Sequence, residues 1–215
     1  NAYSNNVANV QVNPLTKMVF GAGIFMVAID ITNNSNLSPA SIVIVTSTDG
    51  LTWNCSTVAL NVISEPYAST QTQYLDLEYD GTNFWLGTFQ TTTGGGWPYT
   101  AAKSADGKTW LPFANVSYGG NYGRTKITTG GGYFMESSMA GVTGSGTSYV
   151  LYGTVASGIT TGTSPGYGPD LCTQTKYLNG LFFYLRDGAF FTNTTAALAT
   201  SPTGATWTGR TLPTA

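Results

Sequence analysis

Histidine is absent from the 215 residues, and charged residues of every kind make up only 8% of them. Without His, Ser-His-Asp and Cys-His catalysis and nearly every catalytic zinc site are excluded. Eight Lys and Arg against ten Asp and Glu give a net charge of −2, which excludes a nucleic-acid binder that works by neutralising phosphates. Lys, Glu and Arg are too scarce to clothe surface helices. No apolar run approaches the roughly 18 residues of a membrane-spanning helix, so no membrane insertion is expected. No cofactor or metal-binding motif stands out. Only two cysteines occur, Cys55 and Cys172. They form one disulfide or, the reading the spacing favours, remain two small buried thiols. The chain opens on Asn1, which suggests a processed product or a piece of something longer. What fills the space left by charge is Thr, Ser, Asn and 27 Gly, beside 41% hydrophobic residues. That mixture suits strands and tight turns, and an all-β protein is expected.

Two patterns repeat. Ser47-Thr48-Asp49-Gly50-Leu51-Thr52-Trp53, Ser104-Ala105-Asp106-Gly107-Lys108-Thr109-Trp110 and Ser201-Pro202-Thr203-Gly204-Ala205-Thr206-Trp207 all obey S-x-x-G-x-T-W, with the Trp residues 57 and 97 positions apart. A Gly turn followed by aromatics occurs four times, ahead of Phe25, Phe84, Phe134 and Phe182-Phe183. The spacing gives four units of about 50 residues, the third without its S-x-D-G segment, and such a period in strand-forming sequence predicts one four-stranded sheet per unit, a β-propeller blade. Blades are expected at roughly 13–62, 73–117, 124–160 and 174–213, with residues 1–12 an entering linker or strand. In the second unit the strands are read as Tyr74–Tyr79, Phe84–Gln90, Pro98–Ser104 and Thr109–Ala114, with Asp106-Gly107 turning the last hairpin.

The seven-residue pattern resembles the Asp-box of sialidases and related propellers, where it closes the hairpin between a blade's third and fourth strands. The likeness covers three short segments and implies a fold, not an activity, because the Asp-box lies on the face opposite the active site. Asp49, Asp106, Trp53, Trp110 and Trp207 are accordingly expected to be structural: the carboxylates accept turn N–H groups and the indoles pack between sheets. The family's chemistry does not carry over. A sialidase clamps its substrate with three arginines, and this chain has only Arg124, Arg186 and Arg210 in all. Arg210 falls in an outer strand, and the Phe/Tyr-Arg-Ile-Pro motif is missing.

Another glycosidase needs only two carboxylates. The candidates are Asp30, Glu65, Asp76, Glu78, Glu136, Asp170 and Asp187. Asp76 and Glu78 are best placed, alternating on a first strand, but two residues apart on one face they are expected to be a solvated or channel-lining pair. Propeller topology sends the long segments to the other face. There Trp97, Tyr99, Tyr122 and Tyr167 on Gly-flanked loops, with Arg124 as a planar polar partner, are the candidate ligand-binding residues. The expectation is therefore a non-enzymatic recognition or structural module on an extracellular or virion surface, in the style of a phage tail fibre. It would bind a glycan or host surface and assemble as a homo-oligomer with other surface subunits. The alternative is a secreted glycan-active hydrolase.

Overall fold

The computed structural model describes residues 10–12, 17–33, 41–58, 74–89, 97–118, 122–140, 149–156, 158–163, 172–186 and 198–210. These form seventeen strands, and no helix occurs among them. The chain divides into two units, Asn1–Gly119 and Gly120–Ala215, each holding two antiparallel sheets.

In the first unit, one sheet comprises β1 (Val10–Val12), β2 (Val19–Gly21), β3 (Ile24–Asn33), β4 (Ser41–Ser47) and β5 (Asn54–Thr57). One edge of this sheet is shared. β2 pairs with the start of β3, whereas β1 pairs with its end, Val10 opposite Asn33. The second sheet runs in sequence order through β6 (Tyr74–Tyr79), β7 (Phe84–Phe89), β8 (Trp97–Ser104) and β9 (Leu111–Tyr118). In the second unit, β10 (Tyr122–Gly130), β11 (Tyr133–Ala140), β12 (Tyr149–Thr154) and β13 (Gly158–Thr163) form the third sheet. The fourth comprises β14 (Cys172–Leu178), β15 (Leu181–Arg186), β16 (Leu198–Ser201) and β17 (Thr208–Arg210). One four-stranded meander per repeat is what the period predicts.

The first hairpins follow from local chemistry. The two-residue turns Ala22-Gly23, Gly131-Gly132 and Asn179-Gly180 all have positive φ at both positions. That geometry matches the twist of the strands they join. The second sheet uses a four-residue turn instead. Asp80 Oδ1 accepts the N–H groups of Thr82 and Asn83 at 2.7 Å each, while Oδ2 accepts Trp85 Nε1 at 2.7 Å. A cross-strand aromatic pair follows in three sheets: Phe20–Phe25, Tyr79–Phe84 and Tyr177–Phe182, with ring centroids 4.7, 4.7 and 4.8 Å apart.

The S-x-x-G-x-T-W segments close the later hairpins as expected. Ser47 Oγ accepts Gly50 N–H at 2.8 Å, and Asp49 Oδ1 accepts those of Leu51 and Thr52 at 2.8 and 2.7 Å. Ser104 and Asp106 repeat this with Gly107, Lys108 and Thr109. In the third copy Ser201 still receives Gly204 N–H at 2.8 Å, but Thr203 replaces the Asp and accepts Ala205 N–H only at 3.3 Å. The third sheet has no such segment, and β12 turns into β13 within three residues, Thr154 pairing with Gly158.

Adjacent sheets within each unit dock by one repeated device. The Tyr79 ring covers Gly21, and the Tyr177 ring covers Gly130 and Gly131, each at a distance that leaves no room for a Cβ. The later hairpins' glycines do the same in the opposite sense: Gly107 of the second sheet receives Met26 of the first, and Gly204 of the fourth receives Tyr152 of the third. In the core of the first unit Met26, Ile44, Leu77, Phe84 and Leu86 are fully enclosed. Met135, Phe182 and Tyr184 form the core of the second.

Burial of the hairpin indoles is uneven. Trp110 is 6% exposed, as expected of a ring between sheets, but Trp53 is 37% exposed. At Gly50 of the same hairpin a Cβ would meet only Phe25 of its own sheet, at 4.0 Å. Trp207 is half-buried, edge-on to Tyr184 at 5.7 Å. Cys55 is a free thiol and is exposed rather than buried, because β5 is an edge strand whose four residues all face solvent.

Candidate functional site

β6 reads Tyr-Leu-Asp-Leu-Glu-Tyr, and strand alternation separates its two chemistries. Leu77 points into the core with no exposed surface. Asp76 and Glu78 share the opposite face, their Cα atoms roughly 6.5–7 Å apart. Asp76 is only 2% exposed, and Glu78 is half-buried at 27%. A carboxylate buried to that degree needs a counter-charge. Lys17, just ahead of β2 in the neighbouring sheet, supplies it: its Nζ lies 3.5 Å from Asp76 Oδ1 and also donates a hydrogen bond to Glu78 Oε2. Burial alone would depress the Lys17 pKa, but the two carboxylates outweigh it and hold the ammonium above its ordinary 10.5. Of the expected solvated or channel-lining pair, full solvation does not hold for Asp76. One lysine, 61 positions from Glu78, ties both carboxylates to the adjoining sheet.

Of the remaining carboxylate candidates, Glu136 on β11 is 1% exposed and stands opposite Ile127 and Leu151. Asp30 lies on β3 opposite Ile42. Glu65, Asp170 and Asp187 fall outside the described residues. Among the described residues no group of three or more His, Cys, Asp or Glu is arranged to hold a metal ion.

The predicted aromatic cluster is placed differently from expectation. Trp97 and Tyr99 are not on a loop: they belong to β8, Trp97 opposite Tyr118 and Tyr99 between Phe89 and Val116. Tyr122 opens β10 opposite Ala140, and Arg124 lies in the irregularity between Tyr122 and Thr125. Aromatic and β-branched residues favour the extension of the strands to these positions. Tyr167 lies outside the described residues. Arg210 is on the outer strand β17, as expected, with its Nε donating to Thr200 Oγ1 at 2.8 Å.

Asp49 and Asp106 are bonded within their own turns. Thr52 and Leu51 N–H groups, and those of Thr109 and Lys108, hold the two carboxyls down at about 2.

No family model matches the chain. No curated protein is similar to it in sequence. Solved structures are similar in fold. A Hadza microbial sialidase superposes with a TM-score of 0.57 at 16% identity, over 94% of this chain and 46% of its own. The α-L-arabinanase of Penicillium chrysogenum, solved with arabinobiose, gives 0.56 at 16% identity over 85% of this chain and 60% of its own. The endosialidase of phage phi92 gives 0.50 at 16% over 81% and 30%. The chain thus spans about half the length of the first two. Its fold is that of a β-propeller with four blades, each a four-stranded meander, the first with β1 added. The expectation of a non-enzymatic module is corrected by these likenesses, since the similar structures are glycoside hydrolases.

Proposed function

We propose that this chain is a propeller portion of a glycan-active hydrolase, with Asp76 and Glu78 as its working carboxylates. The observation that carries the proposal is the ion cluster of the first unit. A buried carboxylate and a half-buried one share a strand face and are fixed by one ammonium. Glycoside cleavage passes through a cationic, oxocarbenium-like transition state. Asp76, enclosed and ion-paired, suits the role of the fixed negative charge beside that centre. Glu78, half-buried and accepting the ammonium's hydrogen bond, suits the base that takes a proton from the attacking water, the leaving oxygen being protonated from solvent. Lys17 acts through both as a positioning residue. Trp97, Tyr99, Tyr122, Arg124 and Tyr167 are assigned to sugar contact on residue type, since flat rings and a guanidinium present stacking surfaces and donors to a glycan. The three S-x-x-G-x-T-W hairpins are read as Asp-boxes, and a secreted or surface location suits a polymeric substrate. The test is release of reducing ends from a panel of polysaccharides by the purified chain. Asp76→Asn should lower the rate by about 10²–10⁴-fold with an unchanged circular dichroism spectrum. Equal rates for the two proteins, or no release by either, would remove the assignment.

A further inference from the structure

We infer that the face of the first sheet turned away from the second is an interface, and that it receives the fourth sheet of another copy of this chain. Residues 24–29 and 42–45 are continuous apolar runs, the pattern of strands buried on both faces. One face is core: Met26, Ala28, Ile42 and Ile44 are buried with Leu77 and Phe84 of the second sheet. Alternation places Phe25, Val27, Ile29 and Val45 on the other face, with Phe20 of β2 opposite Phe25. There burial is incomplete. Phe20 is 59% exposed and the other four are half-buried.

The seams within the two units show what such a face receives. The cross-strand pairs Phe20–Phe25, Tyr79–Phe84, Thr129–Phe134 and Tyr177–Phe182 put the four sheets in one register. In each seam the later sheet's ring lies over the position after the pair in the earlier sheet: Tyr79 over Gly21, Tyr177 over Gly130. The earlier sheet's second strand in turn fills the later sheet's hairpin Gly. Met26 reaches Gly107, and Met135, beside Tyr152, reaches Gly204. The first sheet carries the receiving half of this device: Phe20 in the place of Tyr79, and Gly50, where a Cβ would meet only Phe25 of its own sheet. The fourth sheet carries the other half, with Leu178 in the place of Gly21 and Phe183 in that of Met26. Leu178 is 57% exposed and Phe183 half-buried. A Phe ring against a Leu side chain thus replaces a Tyr ring over Gly, and both partners are apolar. Lys176 and Arg210, both exposed, share the Phe183 face from the flanking strands β14 and β17, where long stems keep their charges in water. The second sheet is not suited to this role, since Asp80 is bonded within its own turn and Trp85 is fully buried. Because the two faces differ, the joint is head-to-tail, and repetition closes a ring or extends a fibre.

The experiment is sedimentation velocity of the purified chain from about 1 to 100 μM, where association should carry it beyond the monomer. Phe20→Lys spoils the first-sheet face and Leu178→Lys the fourth-sheet face. Each variant alone should associate about thirtyfold or more weakly. Mixed, they should form a 1:1 dimer and nothing larger, because one intact face of each kind remains. Should Phe20→Lys lose the parent's circular dichroism spectrum, Phe20→Thr, which keeps strand propensity, takes its place. Monomers of the parent chain at every concentration would overturn the interface. Dimers of Leu178→Lys alone, with Phe20→Lys monomeric, would mean that two first sheets meet each other, and would overturn the fourth sheet as the partner.

Discussion

The Met26 methyl group occupies the space that a Cβ on Gly107 would need. Met26 belongs to the first sheet and Gly107 to a hairpin of the second, so this contact is a seam between blades. Gly107 also has φ +72°, as does Gly50 in the equivalent hairpin. Gly50→Ala should therefore cost only the left-handed strain, about 1–2 kcal/mol. Gly107→Ala should add about 1–3 kcal/mol of overpacking against Met26. Urea titration of both variants measures the difference. Equal losses would mean that the seam yields freely.

The indoles of these hairpins should separate in the same way. Trp110→Ala removes a buried ring and should lower stability by about 3–5 kcal/mol. Trp53 is more exposed, and its Nε1 donates to Gly50 O at 3.2 Å within its own turn. Trp53→Ala should cost about 1 kcal/mol. Reversal of that order in denaturant midpoints would contradict the burial argument.

Which features are legible in the amino-acid sequence, and which are hidden, divides along contact distance. Gly-Gly, Asn-Gly and S-x-D-G turns are local, and residue order is enough to place hairpins in all four sheets. The difference between Trp53 and Trp110 is not local: both hairpins follow S-x-D-G-x-T-W, but Met26 and Ile24 of the first sheet reach Gly107, whereas only Phe25 of its own sheet stands by Gly50. The Lys17 tie to Glu78 spans 61 positions, and nothing around Lys17 announces it. Trp97 and Tyr99 look like loop residues in the sequence because Gly94-Gly95-Gly96 precedes them. The register with Phe89 and Tyr118 that draws them into β8 is again a long-range property.

Titration should expose the hairpin carboxylates. Asp49 and Asp106 have folded values of about 2 against an ordinary 3.8. Their contribution is present above pH 3.8 and is lost as pH falls through about 2. The melting temperature should drop over that interval, and the drop should be shallower in Asp106→Asn. An identical acid limb in that variant would show that other groups govern it. Lys17, raised above 10.5, behaves oppositely: its contribution is complete below 10.5 and fades as pH rises beyond it.

The last prediction concerns the Lys17–Asp76 pair itself. Lys17→Met preserves the apolar stem but leaves Asp76, 2% exposed, without its ammonium. Breaking a fully buried pair costs about 3–5 kcal/mol. The Lys17 side chain is 39% exposed, so water screens the interaction and the loss should fall to about 1–2 kcal/mol. Asp76→Asn removes the charge while keeping the shape, so it should cost less in stability than Lys17→Met. In the double variant the neutral amide no longer needs a counter-charge, and most of the Lys17→Met loss should disappear. A double-mutant cycle in urea measures that coupling directly. Additive losses would mean that Lys17 does not stabilise Asp76. Other contacts would then have to hold the Asp76 carboxylate, and the charge arrangement assigned to the site would fail with the pair.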